Sequence, residues 1–197
     1  MISSRETVFL YPMEIEYLQS AGKQLAYYKV LGEKTFAQLE DADLFWQYNR
    51  ASNSIAVIVN HLSGNMKSRW SDFLTSDGEK PWRQRDREFE DVISTRQALL
   101  TAWNEGWDCV FTALNSVNTD NFHTDIYIRN QRHSIVEAVN RQLMHYAYHI
   151  GQIIYIGRMI RGEAWQSLSI PKGKSQAFNA NKFSQGKHGG HFTDEIK

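Results

Sequence analysis

Two histidines four residues apart stand in the run His145-Tyr146-Ala147-Tyr148-His149, and a third, His61, lies far upstream. Four residues advance an α-helix by about 400° and about 6 Å, so the pair leaves one face a turn apart and both rings can converge on one ion. Three neutral imidazoles with positions left for water are the donor set of a catalytic zinc-type site, since structural zinc is normally held by four protein ligands. The same nitrogens suit nickel, iron or manganese to differing degrees. An i, i+4 histidine pair also occurs in packed cores and on solvated faces, and spacing alone leaves both readings open. Tyr146 occupies the place of the glutamate in an HExxH motif, which disfavours a zincin-type protease. His123, His133, His188 and His191 fall in loops or tails, where solvation is expected; His123 or His133 would be the fourth ligand of a closed, structural site.

Other residues could serve such a centre. Asn65, one helical turn after His61, and Gln152, close to His149, can orient a ligand or substrate or bond to backbone. Arg69, Trp82, Arg83 and Arg85 form a candidate site for a carboxylated small molecule, because guanidinium pairs bidentately with carboxylate; the bland alternative is a solvated loop with surface ion pairs. Tyr146 and Tyr148 leave other helix faces and read as packing residues. Cys109 has no basic neighbour in sequence and reads as a small buried hydrophobe rather than a nucleophile.

Four helices would position these groups. The first spans about Pro12 to Leu39, with Gly22 and Gly32 as weak points. The second is capped within Ser52 to Ser54, carries Ile55, Ile58, Leu62, Met66, Trp70 and Phe73, and stops at Asp77-Gly78. The third spans about Ser94 to Val117. The fourth is capped by Ser134, with Glu137 completing a capping box, and runs to about Gly162. On it Ile135, Ala138, Gln142, His145, His149, Gln152, Ile156 and Met159 fall at three- and four-residue steps, the seam a bundle turns inward. His61 shares a stripe with Ser54, Ile58 and Asn65. The mixed-charge loop 79–91 is a candidate pocket lid, and Thr124 to Arg129 reads as a short extended hairpin or an irregular loop. From Ser167 onward apolar residues thin out, which predicts one domain over 1–180 and a loosely packed tail over 181–197.

Composition narrows the function classes. The chain has 197 residues, 42% hydrophobic and 13% aromatic, in the range of one globular domain. With 22 basic and 22 acidic residues there is no net field for a polyanion or an anionic membrane surface. One cysteine allows no internal disulfide. Met1-Ile2-Ser3-Ser4-Arg5-Glu6 lacks the pattern of a secretion signal, and no run of about 18 apolar residues occurs, so a cytoplasmic protein is expected.

Three separated motifs, Asn60-His61-Leu62-Ser63-Gly64-Asn65-Met66, Asp77-Gly78-Glu79-Lys80-Pro81-Trp82 and His145 through Ile153, resemble the DinB-like, or YfiT-like, superfamily of metal-dependent enzymes. Within it the chain is most similar to a bacterial family of unknown function with an Arg-Gly-Glu-x-Trp ending, here Arg161-Gly162-Glu163-Ala164-Trp165. The resemblance covers about residues 10 to 180. It implies an all-α, up-down-down-up four-helix bundle in which His61, His145 and His149 hold a divalent ion, zinc or nickel being the first choices. Characterised relatives include transferases of low-molecular-weight bacterial thiols. The expected function is therefore metal-assisted transfer of a small thiol to an electrophile, with metal-dependent hydrolysis and a non-catalytic metal-binding or dimeric bundle as alternatives. A homodimer through the first helix, around Tyr17, Tyr27 and Tyr28, is the expected assembly.

Overall fold

Three helix starts are fixed by short hydroxylated side chains. Ser54 Oγ accepts from Val57 N at 3.2 Å, Thr95 Oγ1 from Ala98 N at 3.1 Å and Ser134 Oγ from Glu137 N at 3.1 Å. The Glu137 carboxylate accepts in return from Ser134 N at 2.7 Å, closing the capping box. In the computed structural model, which describes residues 12–194, these caps open α2 (Ile55–Trp70), α3 (Arg96–Asn115) and α4 (Ile135–Arg161). Helix α1 (Pro12–Phe36) precedes them and α5 (Ser175–Ser184) follows. The segment Met1 to Glu6, read above for a secretion signal, lies outside the described residues.

Helix α1 lies against α4 and α3, and α2 lies against α3 and α4, so the four long helices close a ring of contacts around a shared core. Trp103, Trp107, Tyr146, Leu25, Leu62 and Met66 fill it. Burying such side chains contributes about 1.5–3 kcal/mol each, which makes this seam the main source of stability. The Tyr146 hydroxyl in it accepts a hydrogen bond from Trp70 Nε1 at 3.0 Å, whereas the buried Trp103 and Trp107 Nε1 atoms have no hydrogen-bond partner. Gly32 is a close-approach point rather than a weak one, because a Cβ there would meet the Trp103 ring at 2.5 Å.

Helix α2 ends seven residues before the predicted stop. Asp72 adopts φ 48, and its carbonyl accepts from Thr75 N at 3.0 Å and Ser76 N at 2.9 Å. The short polar side chains of Ser71 and Asp72 favour such local turns over helix. The extended segment is a hairpin: β1 (Ile126–Ile128) pairs antiparallel with β2 (Gln131–His133) across Arg129-Asn130, at φ 55 and φ 60, a type I′ turn. The Asp77 carboxylate accepts from both turn amides at 2.8 Å, tying the hairpin to the end of the α2 region. The 79–91 loop holds a short 3₁₀ helix, Arg85–Phe89, laid along α2.

Helix α5 buries no residue and spans position 180, where the domain boundary was expected. Beyond it Asp194 pairs with Lys23 of α1 at 2.9 Å. No helix of the described residues is long and apolar enough to cross a membrane. Tyr17, expected on a dimer surface, turns onto its own chain and donates to Asn140 Oδ1 of α4 at 2.8 Å.

Candidate metal centre

The second helix brings His61 against the His145–His149 pair of α4. The three side chains form the one metal-capable cluster found among the described residues. His145 Nε2 lies 3.2 Å from His61 Nε2 and 3.1 Å from His149 Nε2, and the three ligand atoms fall within 4.8 Å of one another. Tetrahedral bonds of 2.0–2.1 Å to imidazole nitrogen would separate adjacent donors by about 3.3 Å, so two of the three separations are already near that value.

The opposite ring nitrogens fix the tautomers. Glu88 Oε2 lies 2.9 Å from His61 Nδ1, and a carboxylate only accepts, so Nδ1 carries a proton and the neutral form of the ring presents its Nε2 lone pair inward. His149 Nδ1 likewise donates to Gln152 Oε1 at 2.8 Å. Burial first, then the neighbouring imidazoles, lowers the His145 pKa to about 3; burial lowers that of His149 to about 4. Both rings are neutral at pH 7. With all three rings neutral, the lone pairs of His61 and His149 converge and His145 Nε2–H could donate to only one of them, so a cation or a donating water is favoured between them. The donor set therefore fits a divalent ion.

Glu88 is the structural key to this arrangement. Arg83 donates to it from Nε at 2.7 Å and Nη2 at 2.9 Å, so one carboxylate joins the loop arginine to the α2 histidine. Burial pushes the Glu88 carboxyl up, but the hydrogen bonds from Arg83 and His61 outweigh it and hold the pKa below its usual value. Gly64 makes room for this carboxylate, because a Cβ there would clash with Glu88 Oε1. Phe89 then stacks on His61 with ring centroids 4.7 Å apart, shielding that imidazole from water.

A cavity of about 440 Å³ opens above the histidines. Asn65, Arg69, Arg83, Arg85 and Gln152 line it, together with Gln142, Arg129, Arg141, Tyr148 and Asn53. Four buried polar atoms of its wall have no hydrogen-bond partner: Asn65 Oδ1, Gln142 Oε1, His145 Nδ1 and Arg83 Nη1, the last lying 3.8 Å from Glu79 Oε2. Such groups call for water or a polar ligand. Arg69 is committed elsewhere, to the Gly78 carbonyl, Ser68 Oγ and Glu79. A larger cavity, about 840 Å³, lies where the ends of α1 and α4 meet the segment before α5, but it contains no metal-capable donor cluster.

Several sequence expectations are revised. Trp82 does not line the histidine cavity; it is 55% exposed and borders a separate recess with Asn60 and Gly64. Arg83 is no solvated loop residue, since the bonds to Glu88 bury its side chain. His133 is buried rather than solvated, its Nδ1 facing the Gln131 carbonyl at 2.9 Å and its Nε2 facing Arg141 Nη1 at 3.1 Å. Neither it nor His123, which pairs with Glu14 at 3.4 Å, joins the three histidines as a fourth ligand. Cys109 is half-buried, 3.6 Å from Ser71 Oγ. Glu88, Phe89 and Arg141 were not anticipated. Glu88 stands in a dense run of charges with nothing in its spacing to set it apart, whereas Gln142 was on the inward stripe without being assigned a role.

A family model described as Protein of unknown function (DUF1572) matches residues 13–174, a span containing all three histidines and the whole cavity wall. No curated protein and no solved structure matches the chain.

Proposed function

The chain belongs to the family described as Protein of unknown function (DUF1572), and on that footing we propose that it is a divalent-metal-dependent enzyme whose ion is held by His61, His145 and His149. The convergence of three Nε2 atoms while two Nδ1 atoms are tied outward to Glu88 and Gln152 is the observation that carries this reading. We further infer membership of the DinB-like superfamily and an up-down-down-up four-helix bundle, which the ring of contacts among α1 to α4 favours.

A divalent ion in such a site supplies Lewis acidity that makes a thiolate or hydroxide available near neutral pH. The chain's own groups do the rest. Glu88 and Gln152 hold two imidazoles in the metal-binding tautomer. Phe89 keeps water from one side of His61, while Asn65 and Gln142 offer unpartnered amide oxygens to a bound reactant. The reading favoured among the available reactions is transfer of a low-molecular-weight thiol to an electrophilic small molecule. The absence of a fourth histidine, cysteine or carboxylate from the cluster among the described residues favours an open, reactive centre over a closed structural one.

The test is metal content by plasma mass spectrometry on untagged protein beside the His145→Ala/His149→Ala double variant, followed by thiol consumption assays with a panel of electrophiles. About one divalent ion per chain, lost in the helical double variant, is expected. A native protein that takes up neither zinc, nickel nor manganese would make the histidines packing residues. A loaded protein that consumes no bacterial thiol would count against transfer while leaving the centre in place.

A further inference from the structure

Spacing along α4 assigns Ile156 and Met159 to the same inward stripe as His145, His149 and Gln152. The structure buries only the first part of that stripe: Met159 is 46% exposed and Ile156 half-buried. Because α2 starts at Ile55, the C-terminal turns of α4 face the irregular segment before it, and Trp46, Tyr48, Ser52 and Asn53 form a recess with Tyr155, Ile156 and Met159. Its volume is about 280 Å³. Tyr155 is 66% exposed and Tyr48 72% exposed, an unusual concentration of uncovered aromatic surface.

Asn53 lines both this recess and the histidine cavity, so the two are neighbours along one helix face. Their chemistry is opposite. The wall of the histidine cavity contains Arg69, Arg83, Arg85, Arg129 and Arg141 and no acidic residue; Glu79 behind it pairs with Arg69, Arg83 and Arg129 and Glu88 with Arg83, which among the described residues leaves Arg85 and Arg141 as its uncompensated charges. Arg83 Nη1 is buried in that wall without a hydrogen-bond partner, and the exposed Arg85 and Arg141 flank it. The recess wall has no charged residue at all. From His149 to Tyr155 the helix rises about 9 Å, the reach of a small organic molecule with one charged and one apolar end.

We propose that a reactant of this site is an amphipathic organic anion, with its carboxylate or similar group at Arg83, Arg85 and Arg141 and its apolar part in the recess of Trp46, Tyr155, Ile156 and Met159. The inference rests on the reading of the cavity as a metal centre that takes a small molecule. It adds the class of that molecule. Continuity with the cationic cavity selects this occupant over a second copy of the chain, which would cover the aromatic surface without using the arginines.

Calorimetric titration of the zinc-loaded protein with butyrate, 4-phenylbutyrate and 4-phenylbutyramide tests it, with zinc stoichiometry measured on the same samples. The phenyl acid is expected to bind at least about tenfold more tightly than butyrate, as about 1.4 kcal/mol of apolar burial would give, and about tenfold more tightly than the neutral amide. Tyr155→Ser/Met159→Ser should abolish the advantage of the phenyl group while leaving butyrate affinity and zinc content unchanged. Arg85→Gln/Arg141→Gln should weaken both acids and spare the amide. Equal affinities for the two acids in zinc-loaded protein would overturn the proposal and leave the metal centre standing. Failure to take up zinc would instead remove the metal reading, and selective phenylbutyrate binding by that same metal-free protein would still support the anion site. If Tyr155→Ser/Met159→Ser converts a dimer to a monomer by light scattering without changing any affinity, the recess is a self-interface and the proposal falls.

Discussion

At the scale of single residues, the three clustered histidines and Gln152 beside His149 were readable in the chain, and Glu88 was not. His145 and His149 announce themselves because helical spacing is a strong geometric constraint. Glu88 reaches His61 only through a loop whose path no periodicity describes. Its importance is testable without touching a ligand. In Glu88→Gln the buried charge is lost, Arg83 loses the closer of its two ion pairs and the His61 tautomer is no longer enforced. Metal affinity should fall about 10- to 100-fold, as is usual when a ligand's supporting carboxylate is removed, in a competition titration against a chromophoric chelator. Gly64→Ala should give a loss of the same sign, because its Cβ would push against a Glu88 carboxylate already gripped by Arg83 and His61. Unchanged affinity in both variants would mean that His61 needs no outer support.

Among the secondary-structure elements, helix starts were more legible than helix ends. Ser54 and Ser134 cap where the sequence placed them because a single side chain bonds a free amide. The end of α2 depends on a turn at Ser71-Asp72, where local hydrogen bonding overrides an apolar pattern that continues to Phe73. Glycines divide in the same way by what surrounds them. Gly32→Ala places a methyl against the buried Trp103 ring, an overpacking that costs about 1–3 kcal/mol and exceeds the gain of about 1 kcal/mol from helix propensity. Urea unfolding should therefore show Gly32→Ala destabilised or at best neutral. Gly22→Ala and Gly151→Ala, whose added methyls meet nothing within 4 Å, should each be stabilised by about 0.5–1 kcal/mol. Stabilisation of Gly32→Ala equal to theirs would show that α1 and α3 separate freely at this contact.

For the molecule as a whole, the histidine cluster joins α2, α4 and the 79–91 loop, so binding of the proposed ion would be linked to folding. An ion that binds only the folded chain stabilises it by about 2.7 kcal/mol at a hundredfold excess over Kd, and the thermal midpoint should climb with metal concentration in the native protein but not in His145→Ala/His149→Ala. Without metal the same site becomes an acid-sensitive element. Burial holds His145 near about 3 and His149 near about 4, against 6.5 for an ordinary imidazole. Well above pH 6.5 these rings are neutral in both folded and unfolded chains and contribute no pH dependence. As pH falls below 6.5 the unfolded chain binds protons that the folded one refuses, so stability declines until the folded pKa values are reached. Carboxylates whose pKa values are depressed in the fold, Glu88 and Asp77 among them, add their own loss at lower pH, as it falls through their ordinary range and on through their folded values. The window from pH 6.5 to 5 thus isolates the histidines. Denaturant unfolding of chelator-treated protein should lose stability across that window, and His145→Gln/His149→Gln should lose clearly less. Equal slopes would mean that the two imidazoles accept protons in the folded state, which is incompatible with neutral rings poised to receive a cation.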